Sequence, residues 1–334
     1  MDFRLEFRRY SLPFSEPVRT AHGSWPVREG LFVRIERRDG SAGYGEASPV
    51  PLFGSESVDA AAAFCRSLGG RVSGEIVQRV PEGLCALRNA LACAIGGPAD
   101  APRHRSLGVA ALLPAGRAAL AEAPRRADAG FRILKWKVGV GAAGDEMGIL
   151  DDLISALPSG SRIRLDANGA WSQSVAERWL KHAADRPVEF VEQPLAADSK
   201  GAEDRLRGLA ADYPVPVALD ESIAGDADVA HWLSSGWSGY FVIKPALLGD
   251  VSGVLGSLAA AGANVVFSSA LETGIGAQAS LRSAFAWPGK MSALGFGVWP
   301  LFRNPVFDGP GAAPFMRIED VDRIDPEALW IAAS

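Results

Sequence analysis

From Ser106 onward, short apolar runs recur at regular intervals: LGVAALL, FRILKWKVG, RIRLDANG, VEFVEQP, VPVALDES, GYFVIKPALLG and NVVFSSALE. Stretches between them, such as SVAERWLKHAAD and VSGVLGSLAAAG, carry apolar residues at helical spacing. Strands alternating with helices predict βαβ units around a parallel sheet. No glycine-rich dinucleotide fingerprint follows the first strand, which favours a (β/α) barrel over a doubly wound sheet. The region, about 200 residues long, is short for eight full units, so one unit should be modified. GFGVWPLF near residue 300 is the segment expected to close the ring. The expected fold is therefore α/β, a modified barrel of the (β/α)7β type over residues 106–304.

The chain before it reads differently. FRLEFRRYSLPF and REGLFVRIERRDGSAGYGEAS have strand character, the second folded at the Asp39-Gly40 turn. Alanine-rich stretches from Val58 to Leu68 and from Glu82 to Ile95 follow as helices. Strands followed by helices predict an α+β capping domain over 1–105, completed by a returning tail, 305–334.

Polar residues interrupt the barrel runs at one repeated place. Lys137, Asp166, Glu192, Asp220 and Lys244 stand near the ends of successive predicted strands, 29, 26, 28 and 24 residues apart. Each interval is one βα repeat, so the five should share the C-terminal mouth, where barrel active sites sit. Alternation along a strand turns Asp166 to the face of Arg164 and Asn168, and turns Glu192 and Asp220 inward. Three inward carboxylates require a cation among them. Oxygen donors without His or Cys select a hard divalent ion, Mg2+ first, with Mn2+ as a substitute. Arg164 is expected to pair with these carboxylates and Asn168 to hydrogen-bond the metal shell.

Composition sharpens the lysines. Only six occur among 34 basic residues, so each is a candidate for a role that arginine, which keeps its proton, cannot fill. In Lys135-Trp136-Lys137 a strand projects both lysines to one face; on a helix they would diverge by about 200°. Two inward ammonium groups beside a metal lower each other's pKa, as a lysine base requires. Lys244 should face Lys137 across the mouth. A lysine base with carboxylate-bound Mg2+ suits removal of a proton alpha to a carboxylate.

The remaining features exclude classes. A net charge of −5 offers no footprint for nucleic acid or an anionic membrane. No run of 18 apolar residues is present, and MDFRLEFRRY lacks the apolar centre of a signal peptide. Cys65, Cys85 and Cys93 have no ligand-like spacing, which fits a reducing cytoplasm. His104, His182 and His231 show no such spacing either. Oligomeric state leaves no mark.

KWK, RLDANGAW, EQP, ALDES, IKPALLG and SSALETGIG resemble, in order, the barrel motifs of the enolase superfamily, muconate-lactonizing subgroup. PVRTAHGSW and GYGEASPVPLFG look like the two specificity loops of its cap. The resemblance implies that Asp166, Glu192 and Asp220 hold Mg2+, that Lys137 is the acid/base lysine with Lys135 its neighbour, and that Lys244 steadies the enolate from the opposite side. It implies a small carboxylate substrate, with Ser268 and Ser269 near its distal carboxylate. Arg19, beside His22 on the lid, is either a further contact to a substrate carboxylate or a solvated surface residue. The short chain, IKPALLG and FSSALETG look most like the branch of that superfamily that dehydrates a cyclohexadiene carboxylate in menaquinone or phylloquinone synthesis. N-acylamino-acid racemisation and muconate cycloisomerisation are the alternatives inside the superfamily, and a non-catalytic metabolite binder the alternative outside it. Ala270-Leu271-Glu272, where dipeptide epimerases carry Asp-x-Asp, counts against epimerisation.

Overall fold

The computed structural model describes residues 2–20, 23–96 and 101–333. The N-terminal part is an antiparallel sheet ordered β3-β2-β1-β4, made of β1 (Asp2–Thr20), β2 (Gly23–Glu36), β3 (Ala42–Ala47) and β4 (Arg71–Ser73). Helices α1 (Val58–Ser67), α2 (Ile76–Arg79) and α3 (Cys85–Ile95) cover one face. Alternation in β2 explains the layering. Leu31, Val33 and Ile35 enter a core with Ala61, Cys65, Leu87 and Leu91 of the helices, whereas Phe32 joins the main core on the other face. Gly43 and Gly45 let α3 approach, since a Cβ at either would lie within about 2 Å of the Ala94 or Ala90 carbonyl oxygen.

The flanks of the expected first loop, PVRTAHGSW, pair as a long ribbon, while Ala21 and His22 lie outside the described residues. Pairing of β1 with β2 shifts between Pro13 and Val18 and then resumes through Val18–Trp25 and Thr20–Gly23.

The rest alternates strand and helix. After β5 (Ser106–Gly108) come β6 (Ala111–Leu113), α4 (Ala118–Asp128), β7 (Ile133–Lys137), α5 (Ala143–Ala156), β8 (Arg162–Asp166), α6 (Gln173–Ala183), β9 (Val188–Glu192) and α7 (Ala202–Asp212). They continue as β10 (Val217–Leu219), α8 (Asp226–Ser234), β11 (Tyr240–Ile243), α9 (Val251–Ala260), β12 (Asn264–Phe267) and α10 (Gly274–Ala286). Strands β6 to β12 form one parallel sheet in sequence order. Leu294 bridges to Val109 and Gly295 to Ser268, so this short segment joins the two edges and closes a (β/α)7β ring. The closing residues are the first of the expected motif and the one before it.

The tail adds β13 (Phe315–Arg317), paired with β5, then α11 (Ile318–Asp322) and α12 (Pro326–Ala332). Trp330 of α12 lies under the Arg8 guanidinium at 4.0 Å, and its carbonyl accepts from Arg8 Nη1 at 2.6 Å. The tail thus packs on the N-terminal sheet.

Candidate active site

Strand parity builds the mouth of the ring. One tier down, Phe190, Ala218, Val242 and Val266 form a separate buried cluster inside the barrel. Two residues further stand Glu192, the last residue of β9, and Asp220, Lys244 and Ser268, each just past the end of its strand, so an apolar plug closes the bottom beneath a polar layer. Lys137 is level with Asp166, and Asp166 with Glu192, in the strand register.

The carboxylates and lysines interlock. Lys135 Nζ lies 2.7 Å from Glu192 Oε1 and 3.1 Å from Asp166 Oδ2. Lys244 Nζ pairs with Asp220 Oδ1. With β8, β9 and β10 between β7 and β11, the lysines flank the carboxylate row from two sides. Phe53, from the cap, covers Lys244 with its ring centroid 4.9 Å from Nζ.

Burial sets the charges. It lowers the Lys137 ammonium, with Lys135 pushing the same way against Asp166 and Glu221. It also pulls on Lys135, but the charges of Asp166 and Glu192, with their hydrogen bonds, more than reverse this and raise its pKa. Lys244 is brought down to about 7 by burial; Glu192 opposes that shift and Lys135 favours it. Its ion pair with Asp220 also favours the charged form. Asp166 is raised, first by burial and then by Glu192 against Lys135.

Among the described residues, no three or more His, Cys, Asp or Glu side chains stand converged as a metal cage; lysines hold the carboxylates instead. The donor set nevertheless fits a hard divalent cation. All the donors are carboxylate oxygens, and Asp166 Oδ1 and Glu221 Oε2 are buried without a hydrogen-bond partner.

Three residues escaped the sequence reading. Glu221 is pushed up to about 7 by burial and by the Asp166 and Glu192 charges. Its Oε1 accepts from Asn168 Nδ2 at 3.0 Å, so Asn168 reaches this carboxylate rather than the expected ligands. Gln193 is fully buried and uses both ends of its amide. Its Oε1 accepts from the Asp220 and Ser222 amides, while Nε2 donates to Leu195 O and Ser222 Oγ. Phe53 is the third.

Asn168, Gln193 and Leu271 are the non-glycine residues with positive φ among those described, at 44°, 38° and 62°. All three sit on loops that follow barrel strands, where strain gathers at functional sites.

The other candidate residues are placed as follows. Arg164 pairs with Glu189 at 2.8 Å, not with the mouth carboxylates. The β8–β9 register skips Glu189 and leaves it free to turn toward Arg164. Ser268 Oγ donates to Gly295 O at 3.3 Å. Ser269 Oγ donates to Glu272 Oε2 at 2.8 Å and accepts from Leu271 N at 2.9 Å, so it braces its own loop. The Arg19 side chain and His22 lie outside the described residues. His104 bonds to the Trp287 carbonyl, and His182 and His231 pair with Asp151 and Glu203.

A family model described as enolase C-terminal domain-like matches residues 118–314. The chain belongs to the enolase superfamily. Within it, the o-succinylbenzoate synthase of Thermosynechococcus vestitus is 40% identical over 302 residues, covering 88% of this chain and 92% of the relative. That of Thermobifida fusca is 31% identical over 334 residues, covering 96% and 93%. The solved o-succinylbenzoate synthase from Thermosynechococcus elongatus BP-1, complexed with Mg in the active site, superimposes with a TM-score of 0.82. It is 36% identical, with 98% of this chain and 99% of that one covered.

Proposed function

We propose that this superfamily member dehydrates 2-succinyl-6-hydroxy-2,4-cyclohexadiene-1-carboxylate to o-succinylbenzoate. One observation carries the reading. Lysines flank a single carboxylate row from two sides at the barrel mouth, in a chain 40% identical to a synthase of this reaction over most of its length.

Asp166, Glu192 and Asp220 would hold Mg2+ or Mn2+, with Lys135 and Lys244 giving up part of their present contacts. When bound, the ion neutralises the substrate carboxylate and the charge that develops on it. Lys137, its pKa lowered by burial, takes the proton alpha to that carboxylate on Nζ. The electron pair left behind moves into the ring, and the hydroxyl departs from the neighbouring carbon. Lys137 returns its proton to that hydroxyl, which leaves as water. No oxidant is needed, and the product ring is aromatic. Lys135, held cationic by Asp166 and Glu192, keeps Lys137 neutral. Lys244 steadies the enolate from the far side, and Phe53 screens it from water.

In this reading residues 1–105 with 305–334 act as the cap and 106–304 as the catalytic barrel. A small-molecule carboxylate is the partner, and the net charge of −5 argues against nucleic acid. Among the described residues no helix is long and apolar enough to cross a membrane. Cys65, Cys85 and Cys93 are all unpaired. These features support a cytoplasmic place in menaquinone or phylloquinone synthesis.

Parallel assays decide the activity. With Mg2+, kcat/KM for the cyclohexadiene carboxylate should exceed that for N-succinylamino-acid racemisation by about 10²-fold or more. A preference for the amino acid overturns the assignment.

A further inference from the structure

Arg28, in β2, is 1% exposed, yet its acceptors are all backbone carbonyls. Nε donates to Leu271 O at 3.1 Å, and Nη1 to Pro49 O at 2.7 Å and Glu29 O at 3.2 Å. Nη2 donates to Ser48 O and to Ala270 O, the latter at 3.2 Å. All five guanidinium N–H groups are thereby used.

Glu29 is Arg28's own neighbour in β2, but the other four carbonyls belong to two loops far apart in sequence. Ser48 and Pro49 begin the cap segment that carries Phe53 to Lys244. Ala270 and Leu271 follow Ser268 and Ser269 on the loop after β12. Val50 and Phe53 of the first loop pack with Ala246 and Ala270 of the barrel.

Leu271 needs holding. Its φ of 62° is a conformation that a branched residue resists. Arg28 grips its carbonyl, and Ser269 Oγ grips its amide. A second cap residue secures the far end of the loop. The Glu46 carboxylate accepts from Thr273 N, Thr273 Oγ1 and Gly276 N at the start of α10, and from Tyr10 Oη.

We propose that Arg28 is a positioning residue that locks the two lips of the pocket together. The cap, and not the barrel alone, then fixes the loop that carries Ser268 and Ser269, the residues that the superfamily resemblance sets beside the distal carboxylate of the substrate. This rests on the proposed function for its substrate, but the lock itself is a property of the protein alone.

Arg28→Lys keeps the charge but has three donors on one nitrogen, too few and too close together for carbonyls on both lips. The lock predicts a rise in KM for the cyclohexadiene carboxylate of about tenfold or more, with kcat changed by less than about threefold. Leu271→Gly, which adopts the left-handed conformation freely, should recover most of that KM in the Arg28→Lys background. Amide hydrogen exchange at Leu271, Thr273 and Gly276 should quicken in Arg28→Lys while that of β8 and β9 does not. Unchanged KM and unchanged exchange in folded Arg28→Lys overturn the lock, as does a loss confined to kcat.

Exchange in the unmodified protein under rising denaturant provides a test without any variant. The amides of Val50, Phe53 and Gly54 should open in one step with those of Leu271 and Thr273; separate openings overturn the lock. If the unmodified protein lacks synthase turnover, the functional reading fails, and the exchange data still judge Arg28.

Discussion

Lys135 reaches past the strand beside it to hold Glu192 on the next but one, with 2.7 Å between Nζ and Oε1. It takes Asp166, on the strand between, at 3.1 Å. Two residues along the same face, Lys137 is lowered by burial while Lys135 is raised. One strand therefore presents a fixed cation and a lysine able to shed its proton. The proposed chemistry depends on that difference.

Removing the fixed cation should be costly. Lys135→Met leaves the buried Glu192 and the partly buried Asp166 without it, a loss of about 3–5 kcal/mol in metal-free protein. Chemical denaturation with and without Mg2+ measures this. Part of the stability should return with the ion, and equal stability of variant and parent would remove Lys135 from this role.

The pH dependence follows from Lys137. The base must be neutral, and burial lowers its pKa, so kcat/KM falls as pH drops through that pKa and levels off above it. The rising limb should lie below the free-lysine value of about 10.4. A limb at or above that value would show that burial does not tune the base.

Metal dependence tests the carboxylates. EDTA should abolish turnover, and Mg2+ or Mn2+ should restore it. Asp166→Asn, Glu192→Gln and Asp220→Asn should each lower kcat/KM by on the order of 10³-fold. Full turnover after exhaustive chelation contradicts the metal assignment.

Gln193 gives a test away from the charges. Gln193→Met leaves the Asp220 and Ser222 amides without their acceptor, at a cost of about 1–3 kcal/mol for each buried group. Calorimetric titration should show weaker Mg2+ binding, because Asp220 loses its anchor. Unchanged affinity would make Gln193 a purely structural brace.

The barrel was legible because its signal is periodic. Asp166, Glu192, Asp220 and Lys244 could be aligned by spacing and alternation, and the structure brings them to one mouth. Glu221 was not legible, for a physical reason. Strand β10 ends at Leu219, so alternation no longer governs Glu221, and the loop turns its carboxylate back toward Asn168. Gln193 escaped in the same way through its positive φ. Arg164 misled because a skipped residue in the β8–β9 register supplied Glu189 as a nearer partner. Contacts between cap and barrel, such as Phe53 on Lys244 and Arg28 on Leu271, join residues too distant in the chain for local patterns to register.

The most direct test of the account is the turnover of Lys137→Arg. Arginine keeps the positive charge but cannot deprotonate at working pH. Synthase turnover should fall by on the order of 10³-fold, and the substrate's alpha proton should no longer exchange with solvent deuterium. Lys244→Arg, which keeps a cation near the enolate, should be less damaging. Near-normal turnover by Lys137→Arg beside an inactive Lys244→Arg would contradict the account, placing the base on β11's side of the barrel.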